Sequence, residues 1–231
     1  MSREQILAHL RTSLTANRPW LQAEAERMPH EPPPFALPAQ DDLVGQFVAE
    51  LVKLEGKAYR VVSADEALAI IDRLIEETQA TSVIGWDLDQ IGLPGLPELL
   101  AARGITPAKA DVRGEGRKAR LQALEPIPLC LSGVELAIAE SGTLLLRHGP
   151  GKPRLASLLA PCHIAIVFHS QLVRGLGEAL ALLTQRYGDN IFGPTSNLTF
   201  ITGPSRTADI EMTLSLGIHG PPQLHVIVVE G

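Results

Sequence analysis

Apolar positions in the first part of the chain follow a helical period and then meet a run of prolines. Ser2 and Gln5 stand in a capping-box arrangement, and apolar residues recur at helical spacing over residues 6–14. Five prolines lie between positions 29 and 38, where they fix φ and remove backbone donors. We therefore predict an N-terminal helix and a proline-rich linker over residues 1–40, followed by one main domain over residues 41–231.

Beyond the linker, the hydrophobic pattern alternates between the periods of helices and strands. Asp41 is predicted to cap the next helix, and Gly56 to end it in a left-handed turn. A second capping box, Ser63 with Glu66, opens the helix after it. The predicted helices of this part are residues 43–51, 64–78, 96–103, 118–124 and 172–187, and the predicted strands are residues 59–62, 81–86, 163–168, 198–202 and 224–229.

This order of elements predicts an α/β fold. A strand, a helix and a strand in succession over residues 59–86 predict a right-handed parallel crossover. Apolar runs at 134–139 and 143–146 flank a short glycine-containing connection, which predicts a β-hairpin. Residues 126–130 carry two prolines, too many for a central strand. We expect a three-layer sandwich with a mostly parallel sheet, helices on both faces, a β-hairpin and an N-terminal helical extension.

Composition narrows the classes of function. The formal net charge of −6 provides no basic field for nucleic acid or an anionic membrane surface. Cys130 and Cys162 are far apart, so no structural zinc, disulfide framework or iron–sulfur cluster is expected in this chain. No segment has about 18 uncharged apolar residues in a row, and the first 14 residues do not resemble a signal peptide. We expect a cytoplasmic protein with no membrane span and no metal site.

The strongest candidate for chemistry is the segment from Gly203 to Glu211. It follows a predicted strand and passes through a Gly-Pro turn into a predicted helix, where free amides and hydroxyls bind anions. Arg206 offers a planar fork for a carboxylate or phosphate, and Asp209 is a candidate base. The alternative is structural: Ser205 caps the helix and Arg206 forms a salt bridge. Open α/β sheets favour ligand sites at the carboxyl ends of their strands, where we expect the polar loops to meet.

Other polar loops and histidines are weaker candidates. The hairpin connection at residues 140–143 and the loop of residues 189–197 carry small polar groups that also suit ordinary turns. Flanking glycines place His219 on a tight backbone, which suits an acid, a base or a ligand. His163 and His169 flank a predicted strand and are expected to be structural. Because neither a nucleophile elbow nor a P-loop pattern occurs, no nucleophile is assigned.

Four segments together resemble the LUD domain of the lactate utilization protein C family. In chain order they are AIAESGTL at residues 137–144, PCHI at 161–164, GPSRTADIE at 203–211 and LGIHGP at 216–221. The resemblance covers about residues 41–229. It implies a fold like that of the ribose-phosphate isomerase, glucosamine-phosphate deaminase and CoA-transferase group. It also implies a part in the oxidation of L-lactate to pyruvate, beside partner proteins that carry iron–sulfur clusters.

Carried onto this sequence, the resemblance implies a set of pocket residues. Catalysis is left unassigned, with Glu140, Asp209 and His219 as candidates. The implied ligand-binding residues are Ser141, Gly142, Thr143, Gly203, Ser205, Arg206 and Thr207. With only two cysteines the chain matches the cluster-free member of the system, which is expected to bind a small anionic metabolite.

Whether the chain is an enzyme in its own right stays open at this point. The alternative function is a stand-alone enzyme of the same fold acting on a small phosphorylated or carboxylate substrate. A lactate-sensing regulatory module is a third interpretation, but no helix-turn-helix pattern or basic face supports it.

Overall fold

The computed structural model describes residues 2–27, 35–38, 40–110, 112, 114–192, 197–208 and 214–231. The chain divides into two compact units, Met1–Pro34 and Phe35–Gly231. The helices are α1 (Arg3–Arg27), α2 (Leu43–Lys53), α3 (Ala64–Thr78), α4 (Leu88–Ile91), α5 (Leu96–Ala102), α6 (Arg117–Leu124) and α7 (Leu176–Tyr187). The strands are β1 (Lys57–Val61), β2 (Ser82–Gly85), β3 (Thr106–Ala108), β4 (Leu129–Ser132), β5 (Leu136–Ile138), β6 (Thr143–Arg147), β7 (Cys162–Phe168), β8 (Leu172–Val173), β9 (Leu198–Thr202), β10 (Arg206–Ala208), β11 (Leu214–Leu216) and β12 (Gln223–Val229).

The first unit contains helix α1, whose start confirms the predicted capping box. The backbone amide of Ser2 donates to Gln5 Oε1 at 2.8 Å, and the amide of Gln5 donates back to Ser2 Oγ at 3.3 Å. Two otherwise unpaired amides are satisfied in this way. Across the described residues, no helix is long and apolar enough to cross a membrane.

The second unit is built on a six-stranded parallel sheet flanked by helices, which confirms the predicted fold class. Its strand order is β1-β12-β7-β4-β2-β3, and each pairing is parallel. The central strands β7 and β12 are almost wholly buried, as continuous apolar runs in a parallel sheet require. The strands β1 and β2 share this sheet, but three strands lie between them.

A mixed four-stranded sheet, of order β8-β5-β6-β9, accompanies the parallel one, and its β5–β8 pairing is parallel. Its strands β5 and β6 form the predicted hairpin, and β6 also pairs antiparallel with β9. The remaining strands, β10 and β11, form a separate antiparallel pair. The candidate site lies where β9 and the connections around it approach the parallel sheet.

Two predicted helix boundaries are wrong by a few residues. Helix α2 is capped by Asp42, whose side chain accepts the amide of Gly45, and its end is followed by Glu55 at φ +64° rather than by a left-handed Gly56. Helix α7 begins only at Leu176, because the preceding Leu172–Val173 pairs with β5 as strand β8. Pairing with a neighbouring strand outweighs the local helical period there.

Two predicted conformations are also wrong. Strand β4 is central, between β7 and β2, although residues 126–130 looked too rich in proline. Both prolines precede Leu129, so the strand loses no amide, and the carbonyl of Pro128 accepts the amide of Cys162 at 3.2 Å.

The turn at residues 203–204 leads into strand β10 and not into a helix, because Arg206 pairs with Leu216 of β11.

Candidate functional site

A cavity of about 220 Å³ lies against strands β7, β9 and β12. It is lined by Ser157, Leu158, His163, Thr199, Phe200, Ile201, Thr202, Gly203, Ser205, His219, Gly220, Pro221 and Leu224. His163 and Leu224 are the second residues of β7 and β12, so the cavity meets the amino ends of these strands. The expected place at the carboxyl ends is therefore wrong for this cavity.

The two sequence motifs GPSRT and GIHGP meet at this cavity. The amide of Ser205 donates to the carbonyl of Pro221 at 2.9 Å, and the amide of Gly217 donates to the carbonyl of Ser205 at 3.1 Å. These bonds extend the β10–β11 pairing, so the two connections run side by side. As a result Gly203, Ser205 and His219, all predicted pocket residues, line one cavity.

A chain of hydroxyl groups joins the β5–β6 hairpin to the cavity wall. Ser141 Oγ lies 2.8 Å from Thr143 Oγ1, which in turn lies 2.8 Å from Thr202 Oγ1. Thr143 and Thr202 are direct partners in the β6–β9 register, which brings the two side chains together. Of these residues only Thr202 lines the described cavity, so the two predicted ligand-binding hydroxyls stand behind it, Thr143 by one step and Ser141 by two.

Gly142 and Gly203 occupy places where a side chain would collide with the end of helix α2. Gly142 has φ +59°, and a Cβ atom there would lie 2.5 Å from the backbone nitrogen of Leu51. Gly203 has φ +81°, and its Cβ would lie 2.9 Å from that of Leu54. Glycine permits both the left-handed backbone and the close approach. These two predicted site residues therefore bring α2 against the hairpin and the cavity-lining turn.

The guanidinium of Arg206 is engaged at the end of helix α2. It donates to the carbonyl of Leu54 and lies 3.1 Å from Glu55 Oε2. The Glu55 side chain is 72% exposed, so this ion pair is only a weak restraint. Arg206 is absent from the described cavity lining, and its role in holding an anion stays a prediction.

The carboxylate of Glu140 holds a distant part of the chain. Its Oε2 accepts the amide of Ala36 at 2.8 Å, while Arg174 donates to the carbonyl of Leu37 at 2.9 Å and stacks 3.7 Å above the ring of Phe35. We call residues 35–38 the strap, and Glu140 with Arg174 the strap anchor. Glu140 already serves a structural contact here, and its catalytic role stays a prediction.

Some predicted residues fall outside what the structure describes. Asp209, Glu211 and the side chain of Thr207 are among them, as are residues 193–196 of the polar loop before β9. His219 is described and exposed at the cavity. Among the described residues that line the cavity, none is Lys, Arg, Asp or Glu. Within the same part of the chain, no group of three or more His, Cys, Asp or Glu residues is placed to hold a metal ion.

Two histidines bring neutral polar groups to the cavity region. His163 lines the cavity, and its Nε2 lies 2.9 Å from Ser132 Oγ. His148 Nε2 lies 2.9 Å from Oγ1 of Thr199, another lining residue. Burial lowers the pKa of His163 to about 3 and that of His148 to about 4. Both imidazoles are therefore neutral at pH 7.

His163 is buried and hydrogen-bonded, as expected of a structural histidine, but it also lines the cavity, and the sequence singled out neither Ser132 nor Thr202. His163 belongs to the PCHI segment, one of the four that carry the family resemblance. That membership was the one signal in the sequence, since a histidine beside a buried strand is otherwise ordinary.

A wider cavity of about 400 Å³ lies on the α3 side of the parallel sheet. It is lined by Leu74, Glu77, Thr78, Pro128, Pro161, Cys162 and Gln223. Burial raises the pKa of Cys162, and likewise that of Cys130, to about 11, so both thiols stay protonated at neutral pH. No predicted site residue reaches this cavity among those the structure describes, and we do not treat it as the functional site.

Comparison with known proteins decides the family. The family profile of the LUD domain matches residues 44–229. The chain belongs to the LUD domain family. The match includes the cavity lining, the hydroxyl chain and the strap anchor, and it leaves out helix α1 and the strap.

Relatives of this LUD domain protein span most of its length. The chain is 32% identical to lactate utilization protein C of Halalkalibacterium halodurans, over 83% of this chain and 81% of that protein. It is 28% identical to lactate utilization protein C of Deinococcus radiodurans, over 96% of this chain and 95% of that one. A crystal structure of a DUF162 family protein from Deinococcus radiodurans superposes with a TM-score of 0.59 at 21% identity, covering 84% of this chain and 99% of that chain. At that identity the superposition supports the fold alone.

Proposed function

We propose that this protein is a component of a lactate-utilization system, the role named for its relatives, and that it binds a small carboxylate in the cavity beside His219. The relatives named lactate utilization protein C, matched over most of both chains, carry this proposal. The cavity of about 220 Å³ is smaller than sites for drug-sized ligands, which are roughly 300–1,000 Å³, and so suits a small metabolite.

The proposal extends to cofactors, partners and location. The chain binds no iron–sulfur cluster of its own, and the clusters of the system reside in partner proteins. Its two cysteines, both free and buried, support this view, because a cluster of the ferredoxin type needs four cysteine thiolates. The reducing cytoplasm is the proposed location, since free thiols suit it.

The chemistry of the cavity is the basis for assigning residues. The proposed first contacts are the Ser205 hydroxyl, the imidazole of His219 and the hydroxyl of Thr202, all groups that line the cavity. Ser141 and Thr143 support Thr202 through the hydroxyl chain, and Gly142 and Gly203 permit the close approach of helix α2. Arg206 and Thr207 remain proposed ligand residues, for which Arg206 must exchange Glu55 for the ligand.

A phosphorylated substrate, the alternative considered from the sequence, has less support. A buried phosphate group carries more than one charge and requires paired cations or a set of oriented amides. The described lining provides no Lys or Arg, and Arg206, which follows the lining residue Ser205, contacts Glu55. A monocarboxylate carries a single charge, which hydroxyls and an imidazole can stabilise by hydrogen bonds more readily than the charge of a phosphate.

Two experiments test the proposed function. In an NMR titration of the purified protein with L-lactate, we expect saturable shifts at Ser205, His219 and Gly220, and weaker binding by Ser205→Ala. Ser170→Ala, at an exposed serine that follows the carboxyl end of β7 and lies outside the described lining, serves as the control and should bind as the parent does. If Ser205→Ala binds L-lactate as tightly as Ser170→Ala and the parent do, the result contradicts binding in this cavity.

The system-level claim needs a test in cells. We expect a tagged chain, recovered from its host grown on lactate, to bring down proteins that contain iron and acid-labile sulfide. We also expect deletion of the gene to slow growth on lactate but not on glucose. Normal growth on lactate after deletion, with no iron in the recovered material, contradicts the assignment.

A further inference from the structure

A buried serine–histidine pair forms part of the cavity wall. Ser132 is the last residue of β4 and fully buried, and His163 on the neighbouring strand β7 is 1% exposed. In the parallel register His163 lies opposite Cys130, so Ser132 stands two residues further along the same face. The imidazole extends along the strand direction to place Nε2 2.9 Å from Ser132 Oγ.

This pair fixes what His163 can offer. Burial keeps the ring neutral, with a pKa lowered to about 3 by burial and, to a lesser degree, by the charge of His148. A neutral imidazole has one donor and one acceptor nitrogen, and Ser132 engages Nε2. Within the described part of the chain no hydrogen bond reaches Nδ1. Because His163 also lines the cavity, a group that enters the cavity can reach this ring.

The surroundings of His163 do not suit a charged group. The described lining contains no permanent charge; besides two imidazoles it consists of hydroxyl-bearing residues, glycines and apolar residues such as Leu158 and Leu224. A carboxylate placed against this wall loses its water without gaining a counter-charge. A hydroxyl or carbonyl oxygen loses far less hydration free energy than a carboxylate, and one hydrogen bond compensates this loss. The exposed residue His219 and the half-buried Ser205 offer a wetter place for a carboxylate.

We propose that His163, held by Ser132, hydrogen-bonds through Nδ1 to the uncharged hydroxyl or keto oxygen of a small carboxylic acid, and so selects hydroxy and keto acids over simple acids. This inference rests on the proposed function, because it concerns the same cavity. Ser132 is a positioning residue, since its contact with Nε2 holds the imidazole in place. His163 is the ligand contact.

Discrimination between two probes tests this assignment. L-lactate and propionate have the same carbon chain and charge, and they differ by the hydroxyl. We expect the wild-type protein to bind L-lactate about tenfold more tightly than propionate, the effect of one hydrogen bond. His163→Gln keeps a polar group that can reach Ser132 but has no Nδ1, and should bind both acids with similar affinity. His225→Gln, at another fully buried histidine, which pairs with Tyr59 outside the cavity, should keep the tenfold preference.

A measurement on the unaltered protein covers the case in which His163→Gln fails to fold. In long-range proton–nitrogen NMR spectra, we expect L-lactate to move the Nδ1 resonance of His163 and to leave the ring of His225 unchanged. Propionate should leave Nδ1 of His163 in place. Lactate-dependent shifts at His219 and Ser205 with an unmoved His163 overturn this inference and leave the proposed function standing. The absence of any lactate-dependent shift overturns both.

Discussion

The cavity and the strap anchor differ in charge, although one short sequence serves both. Glu140 in the strap anchor and Ser141 and Thr143 in the hydroxyl chain are at most three residues apart. On one side a carboxylate and a guanidinium hold the backbone of the strap, and on the other hydroxyls and neutral imidazoles border a cavity. A motif that looks like one site in the sequence therefore divides between a structural clamp and a binding wall.

The difference follows from burial. The contacts of the strap anchor are partly exposed, so ions there keep some hydration and need only modest pairing. The wall near His163 and Ser132 is fully buried, and only groups that are neutral and hydrogen-bonded are stable in such a place. Each region thus holds the kind of polar group that its depth allows.

Acidification has the largest expected effect, because it acts on the buried, neutral histidines. Burial lowers the pKa of His163 to about 3 and those of His148 and His225 to about 4, against about 6.5 in an unfolded chain. In the unfolded state these histidines therefore become protonated below about pH 6.5, whereas in the folded state they stay neutral down to about pH 4. Stability is full above about pH 6.5 and falls as the pH decreases, by on the order of 5 kcal/mol at pH 4.5. Urea unfolding at a series of pH values measures this loss.

A matched variant assigns the loss to the histidines. His225→Gln removes one proton-binding difference, so its stability should depend less steeply on pH between 6.5 and 4.5 than that of the parent. Stability that is equal at pH 7 and pH 4.5 in the parent contradicts the neutral, buried state of these rings.

The junction between the two regions is sensitive to a single methyl group. Gly142→Ala places a Cβ 2.5 Å from the backbone nitrogen of Leu51 on a residue with φ +59°. The strain of a left-handed backbone and the steric overlap with the Leu51 backbone both destabilise the fold. Together we expect them to lower the free energy of unfolding by about 3–5 kcal/mol. Gly104→Ala is the control, since Gly104 has φ +66° with no atom within 4 Å of its Cβ position. It should lose only about 1–2 kcal/mol. Equal losses in denaturant unfolding would show that the close approach to α2 costs nothing.

The smallest expected effect concerns the strap alone. Glu140→Ala removes the charged acceptor of the Ala36 amide, a bond whose loss should cost about 2 kcal/mol of local stability. We expect faster hydrogen exchange at Ala36. Glu140→Gln keeps an oxygen acceptor. Its exchange rate at Ala36 should therefore lie closer to that of the parent than to that of Glu140→Ala. Exchange at Ala36 that is the same in all three proteins rules out the clamp.

Local pattern explains why much of the fold was predictable. The apolar runs of β7 and β12, the caps of α1 and α3 and the β5–β6 hairpin depend on neighbouring residues, which the sequence displays directly. The family resemblance grouped Gly203, Ser205 and His219 as pocket residues, and in the structure all three line one cavity. Their role in binding stays a prediction.

Long-range contacts explain what the sequence did not reveal. Glu140 reaches Ala36 across 104 positions and Arg206 reaches Leu54 across 152, and no local period encodes either contact. The short segment at Arg206–Ala208 became a strand because β11 pairs with it, against a local pattern that suited a helix start. The site at the amino ends of β7 and β12 likewise depends on β9 and on the 217–221 connection, whose positions only the assembled sheets define.

The two protonated thiols also have a practical consequence for spectroscopy. Cys130 and Cys162 are buried and carry little thiolate at neutral pH, so maleimide and nitroxide reagents should react with neither at a useful rate. A single cysteine introduced on the surface, for example at the exposed residue Ile218 beside His219, then becomes the one site of attachment. Dyes and spin labels can report on ligand entry without prior removal of the native sulfur atoms.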